Sequence, residues 1–309
     1  MSHPPDPSGP VPVLPGLAPL GDRYDGWILD LWGTIHDGIR PLPGALDCMA
    51  RLKAAGGRLL VLSNAPRRVD AVVARMDRVG IPRDLWDATL SSGEAAWQAL
   101  ARRPDDWHRR LGRRCLLIGR ADDHSAVTGN GLEIVDRPAA AEFVVCVGLA
   151  RPEETVADYE PLLRDCAGLG LPMVCANPDL EVLRGDVREL CAGALAARYE
   201  TLGGEVRQHG KPHAPIYRTA LDLLGIEDPG RVAAVGDSLR TDIAGARAAG
   251  IASVLVTGGI HARALGLRPG QAPRPDALSV FCDAAGVRPL AAVPAFCWEA
   301  PASRSDPGA

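Results

Sequence analysis

Polar residues punctuate this chain where apolar runs end. Asp30 closes Trp27-Ile28-Leu29, and Ser63-Asn64 closes Leu59-Leu60-Val61-Leu62. Lys211 stands in Gly210-Lys211-Pro212, and Asp237 follows Val232-Ala233-Ala234-Val235-Gly236, with Asp242 at the start of the next helix-like segment. An acid, a hydroxyl, a lone lysine and paired acids, in that order, are what transfer of a phosphoryl group onto a carboxylate needs. Asp30 would attack phosphorus and carry the aspartyl-phosphate. A phosphate dianion facing Asp30, Asp237 and Asp242 would be repelled without a cation, and Mg2+ suits such oxygen ligands. Lys211 adds a point charge. Ser63 and the backbone N–H groups of the 31–34 turn, Gly33 and Thr34 among them, add donors. Catalysis of this kind is positioning and charge stabilisation.

Each position is weak alone, because an Asp at a strand end is often a cap or turn former and Ser-Asn is a common turn start. The weight lies in the ordered set. The stretch Gly204 to Pro212 is not a phosphate loop: one residue too many separates Gly204 from Gly210, and Pro212 stands where Ser or Thr is required. Of 34 basic residues only Lys53 and Lys211 are lysine, so a lysine here marks a place where a guanidinium does not serve.

These residues need a scaffold that brings strand ends together. Short apolar runs alternate with helix-like segments: 27–30, then Gly44–Gly57; 58–66, then a helix after Pro66; 231–238, then Thr241–Gly250; then 252–259. Such alternation implies right-handed crossovers and a parallel sheet with helices on both faces, whose sites form outside the carboxyl ends of the strands. A second alternating set lies between the outer parts. The expected organisation is an α/β, doubly wound, Rossmann-like core (21–85 and 205–298) interrupted by an α/β cap (86–204). A Pro-rich flexible lead-in (1–20) and a flexible tail (299–309) complete it.

The 309 residues carry a net charge of −4 and 4% aromatics, which excludes the basic, aromatic-laced face expected of a nucleic-acid binder. No apolar run reaches membrane-span length, and the N-terminus lacks the pattern of a signal peptide. The eight cysteines form no C-x-x-C pair and read as reduced thiols in a cytoplasmic protein's core.

The ordered motifs resemble those of the haloacid dehalogenase-like hydrolases. The likeness is greatest to the NagD-type and pyridoxal-phosphatase-type class, which carries an α/β cap between the second and third motifs. The stretches around Val145, Asn177-Pro178-Asp179, Gly210-Lys211-Pro212, Gly236-Asp237-Ser238 and Thr257-Gly258-Gly259 share it. The resemblance implies a Mg2+-dependent phosphatase of a small phosphorylated metabolite, using Asp30, Ser63, Lys211, Asp237 and Asp242. Asn64 falls where the family often has an amide. The class often dimerises through its cap, which leaves a homodimer open.

The departure is Trp32, where these phosphatases have the aspartate that protonates the leaving group and activates water. The backbone carbonyl that contacts the metal at that position remains. Loss of general acid–base help is worth about 10²–10⁴-fold. His36, just past the turn beside Asp37, either takes over proton transfer or packs locally. In the cap, Asp179 could orient a hydroxyl, while Arg184 and Arg188 either read an anionic substrate or lie solvated. Trp32 also opens two alternatives: a hydrolytic dehalogenase, and a non-catalytic phosphometabolite-binding protein. The paired acids argue against the dehalogenase, which needs no cation, and a lysine-free cap argues against phosphonate cleavage.

Overall fold

The structure, a computed structural model, describes residues 9–299 except 122, 186 and 269. Its strands in chain order are β1 (Gly26–Asp30), β2 (Arg58–Ser63), β3 (Ala88–Ser91), β4 (Arg114–Ile118), β5 (Glu133–Val135), β6 (Phe143–Cys146), β7 (Met173–Cys175), β8 (Glu181–Arg184), β9 (Val187–Leu190), β10 (Val206–Gln208), β11 (Val232–Gly236), β12 (Ala252–Val256) and β13 (Ala291–Val293). A six-stranded sheet runs β13-β12-β11-β1-β2-β3, and a five-stranded sheet runs β10-β7-β6-β4-β5. Every pairing in both is parallel, whereas β8 and β9 form a separate antiparallel hairpin.

Parallel strands buried on both faces must be apolar at consecutive positions, and these are. On one side of the large sheet Trp27, Leu29, Leu59, Val61, Val235 and Val254 pack with Met49 and Leu52 of helix Ala45–Ala54 and Val72 and Met76 of helix Val69–Arg78. Ile28, Leu60, Leu62 and Ala234 face the other way, onto Ile216, Tyr217 and Leu224 of helix Ala214–Leu224. The smaller sheet is packed likewise, Leu116, Val144 and Met173 on one face and Cys115, Phe143, Val145 and Val174 on the other.

Two expected boundaries move. β3 belongs to the large sheet, beside β2, so the first core segment runs past residue 85. Its sequence, Ala-Thr-Leu-Ser, has one large apolar residue and gives little strand signal. β10 pairs with β7, so the smaller sheet reaches residue 208 rather than ending by 204. The flexible lead-in is corrected as well. Val11, Leu17 and Leu20 are buried, Val13 bridges Ala292 of β13, and the Leu17 N–H donates to the Cys297 carbonyl. Prolines there disfavour a long helix and suit an extended segment along a sheet edge, which ends in a 3₁₀ turn at Ala18–Leu20. Residues 1–8 and 300–309 of the expected lead-in and tail lie outside the described residues. All eight cysteines are buried and unpaired. Among the described residues no helix is long and apolar enough to cross a membrane.

Candidate active site

β1, β2 and β11 are adjacent and parallel, so their carboxyl ends bring Asp30, Ser63 and Asp237 to one edge of the sheet. A turn that follows β11 carries Asp242 back onto it. Oxygens of Asp30, Asp237 and Asp242 lie within 4.8 Å of one another, and all three residues are buried. The cluster is tight because glycines leave room for it: a side chain at Gly236 would strike the Asp242 carboxyl, and one at Gly33 or Gly259 would strike Asp237. Gly33 also sits at φ +78°, a left-handed conformation that a Cβ disfavours.

Lys211 is the cation of this cluster. Its Nζ donates to Asp30 Oδ1 at 2.5 Å and to Asp242 Oδ1 at 2.6 Å, with the side chain buried. Burial alone would lower the ammonium's pKa, but Asp242 and Asp30 outweigh it and hold it well above the ordinary lysine value. One ammonium does not balance three carboxylates. Burial pushes Asp30 up to about 7 against the opposing pull of Lys211, and burial followed by the Asp30 charge raises Asp237 well above the carboxylate range. Asp237 Oδ2 accepts from the Ile260 N–H and Asp242 Oδ2 from the Ser238 N–H, whereas Asp30 Oδ2 is buried with no hydrogen-bond partner. A crowded all-oxygen set with an orphaned carboxylate oxygen fits a hard divalent cation. The Trp32 carbonyl accepts no hydrogen bond among the described residues and is free to join it.

Ser63 is buried at the end of β2, where its Oγ accepts from the Ala65 N–H and keeps its own proton to donate. Asn64 is a clamp rather than a free amide. Its Nδ2 donates to the Lys211 carbonyl at 3.0 Å and to Asp179 Oδ1 at 2.9 Å, and its Oδ1 accepts the Lys211 N–H at 2.8 Å. Of the turn donors expected for phosphate, the Gly33 N–H is already given to the His36 carbonyl. Thr34 is buried and its Oγ1 has no partner.

His36 is fully buried. Its Nδ1 accepts the Gly38 N–H at 2.7 Å, its Nε2 is unpartnered, and its ring meets the Trp32 indole edge-on at 5.1 Å. Burial, then the nearby Arg75 charge, pulls its pKa down to about 4. At neutral pH such an imidazole holds its extra proton in about one molecule in a thousand. It is therefore a poor proton donor at neutral pH, and its ring packs against Trp32. A titration follows from this. In the unfolded chain the imidazole protonates near 6.5, so acidification stabilises the unfolded state while the folded one resists until about pH 4. The stability advantage of wild type over His36→Gln is therefore expected to shrink by about 2 kcal/mol between pH 7 and pH 5 in urea denaturation. A pH-independent difference contradicts it.

Asp30, Ser63, Lys211, Asp237 and Asp242 open into a cleft of about 1160 Å³ between the two sheets, which the loop after β7 and the β8–β9 hairpin also line. Asp179 hangs from that loop onto Asn64. Arg184 pairs with Glu189 at 2.7 Å and lies 5.0 Å from the centre of the Trp32 ring. Arg188 is tied to Glu181 across the hairpin. Trp32 Nε1 donates to the Leu183 carbonyl, so the residue in place of the expected carboxylate fastens the hairpin to the β1 turn.

Comparison with known proteins agrees with this geometry. Residues 27–133 match a family described as haloacid dehalogenase-like hydrolase, and residues 208–281 match one described as HAD-hydrolase-like. A solved haloacid dehalogenase-like hydrolase from Brucella suis is 33% identical, with a TM-score of 0.78 over 91% of this chain and 98% of that one. The chain belongs to the haloacid dehalogenase-like hydrolases. Within them it groups with the NagD type: Escherichia coli ribonucleotide monophosphatase NagD is 27% identical over 239 residues, 75% of this chain and 87% of that one. The D-glycerol 3-phosphate phosphatase of Mycobacterium tuberculosis is 29% identical over 243 residues, 78% of this chain, which spans 65% of that protein's length. A glycerol phosphate phosphatase from that organism, solved with magnesium, is 25% identical with a TM-score of 0.60, covering 78% of this chain and 69% of that one.

Several residues of this haloacid dehalogenase-like hydrolase in or behind the cleft were not evident in sequence. Ser92 Oγ donates within reach of the Asn64 and Ala176 carbonyls, joining β2's end to the smaller sheet. Arg240 donates to the Pro178 carbonyl, and Arg75 to the Gly38 carbonyl. His261 Nε2 accepts the Leu239 N–H behind Asp237 and Asp242. The doubled Gly258-Gly259 after an apolar run was the one signal pointing to this back wall.

Proposed function

We propose that this chain is a Mg2+-dependent phosphatase of a small phosphorylated metabolite. The observation that carries the reading is Lys211 bridging Asp30 and Asp242 while Asp30 Oδ2 stays unpartnered inside a cluster of three buried carboxylates. Asp30 attacks phosphorus through one carboxylate oxygen, the ester P–O bond breaks, and the leaving oxygen takes a proton from solvent. Water then attacks the aspartyl-phosphate, releasing inorganic phosphate and restoring Asp30. Lys211 and the Ser63 hydroxyl neutralise charge on the phosphoryl oxygens, and Asn64 fixes the backbone from which Lys211 projects. Asp30, Asp237, Asp242 and the Trp32 carbonyl would hold Mg2+, which supplies positive charge to the phosphoryl oxygens. The names of the relatives, phosphatases of glycerol phosphate and nucleotides, support the class.

With Trp at position 32 the leaving group receives no proton from that side chain. Esters with acidic leaving groups, which need none, are expected to react fastest. The test is phosphate release from p-nitrophenyl phosphate and a panel of metabolite phosphates, with Mg2+ and with EDTA. The expected result is Mg2+-dependent release that favours p-nitrophenyl phosphate. Release that ignores EDTA contradicts the metal's role. Binding without release favours a phosphometabolite-binding protein, and chloride release from a haloacid favours the dehalogenase.

A further inference from the structure

The cleft that holds the three buried carboxylates is lined by arginines as well. Arg67, Arg75, Arg184 and Arg188 all line it. Three of these have carboxylate partners: Arg67 on Asp123, Arg184 on Glu189 and Arg188 on Glu181. Arg75 differs. Among the described residues no carboxylate lies within ion-pair distance of it, and its one hydrogen bond is to the Gly38 carbonyl. It is half-buried, and after burial the groups that lower its pKa are all cations, Arg184, Arg78 and Arg67. A partly desolvated guanidinium among like charges is unfavourable unless an anion joins it.

The surroundings of Arg75 are built rather than loose. Its acceptor, Gly38, sits at φ +89° with its Cα against the Trp32 ring, where a side chain would clash. Arg184 covers the same ring, so Arg75 and Arg184 belong to one assembly with the indole. Arg75, Arg184 and Asp30 line the same cleft, so an anion held at Arg75 and a phosphate on Asp30 can belong to one molecule.

Building on the phosphatase reading, we infer that the substrate is a phosphomonoester with a second anionic group, and that Arg75, with Arg184, receives that group beside Trp32. A guanidinium presents paired N–H donors matched to carboxylate or phosphate oxygens. The cap hairpin carries Arg184, so the second anion engages both halves of the cleft.

The test measures inhibition of p-nitrophenyl phosphate hydrolysis, which reads binding whether or not the inhibitor is turned over. Glycerol 3-phosphate is compared with 3-phosphoglycerate, which differs by a carboxylate in place of a hydroxymethyl group. Fructose 6-phosphate is compared with fructose 1,6-bisphosphate. The expected result is that at least one doubly anionic member binds ten-fold or more tightly than its counterpart. Preference in the first pair assigns a carboxylate, and in the second a phosphate. Arg75→Gln is expected to weaken the preferred compound ten-fold or more and its counterpart less than three-fold, with Arg75→Lys intermediate. Equal inhibition within both pairs overturns the inference, as does an equal loss for both members in Arg75→Gln. Absence of any p-nitrophenyl phosphate hydrolysis overturns the phosphatase reading itself, and this inference with it.

Discussion

Asp30→Asn is expected to lower phosphate release by on the order of 10⁴-fold or more, the size of effect seen when a covalent nucleophile is removed. The amide keeps the shape of the side chain but cannot attack phosphorus. The protein should fold without loss of thermal stability. Asp30 is a carboxyl whose ionised form is disfavoured by burial and by neighbouring acids, so neutralising it removes repulsion. Its raised pKa means that the folded state holds the proton up to about pH 7, whereas the unfolded chain releases it near 4; ionised Asp30 therefore costs stability above that window. Lost turnover with an unchanged or higher melting temperature would mark a residue retained for chemistry at the expense of stability. Residual release within ten-fold of wild type would remove Asp30 from the mechanism.

Lys211→Met should show the opposite balance. Methionine fills the volume but leaves Asp30, Asp237 and Asp242 facing one another without their ammonium. Removing one partner of a buried ion pair typically costs about 3–5 kcal/mol, because the remaining charge is uncompensated. Urea denaturation in EDTA is the measurement, with Mg2+ expected to restore part of the loss by binding the folded state alone. Activity should fall by about 10²-fold or more, the usual result of deleting a charge-stabilising donor. An unchanged urea midpoint in EDTA would show that the carboxylates do not depend on Lys211.

These effects trace to residues that were visible in the sequence, Asp30 because it ends an apolar run and Lys211 because it is one of only two lysines, and a parallel sheet gathers strand ends whatever lies between them. Asp30, Ser63 and Asp237 needed only that topology. What stayed hidden depends on distances the chain does not encode locally. Trp32 meets Leu183 across 151 positions, and Arg75 gains meaning only from the indole and Arg184 beside it. His36 looked suited to proton transfer because it lies just past the turn and an imidazole titrates near neutrality; in space it is enclosed by Trp32 and its own turn. β3 escaped notice for want of apolar residues, and the segment before β1 because proline-rich composition reads as disorder when it serves equally for an extended strap.

That strap has a consequence for solution behaviour. β13 is an outer strand of a sheet whose every pairing is parallel, and an uncovered outer strand offers its backbone groups to another chain. The Leu14 N–H and the Pro12 carbonyl instead close onto Ala292, and Val11 and Leu17 are buried alongside. The segment before β1 thus works as a selvedge, finishing the fabric where it would otherwise be open to stitching by a second molecule. Trimming the chain back to Gly21 would leave the catalytic cluster untouched and yet yield a protein prone to self-association.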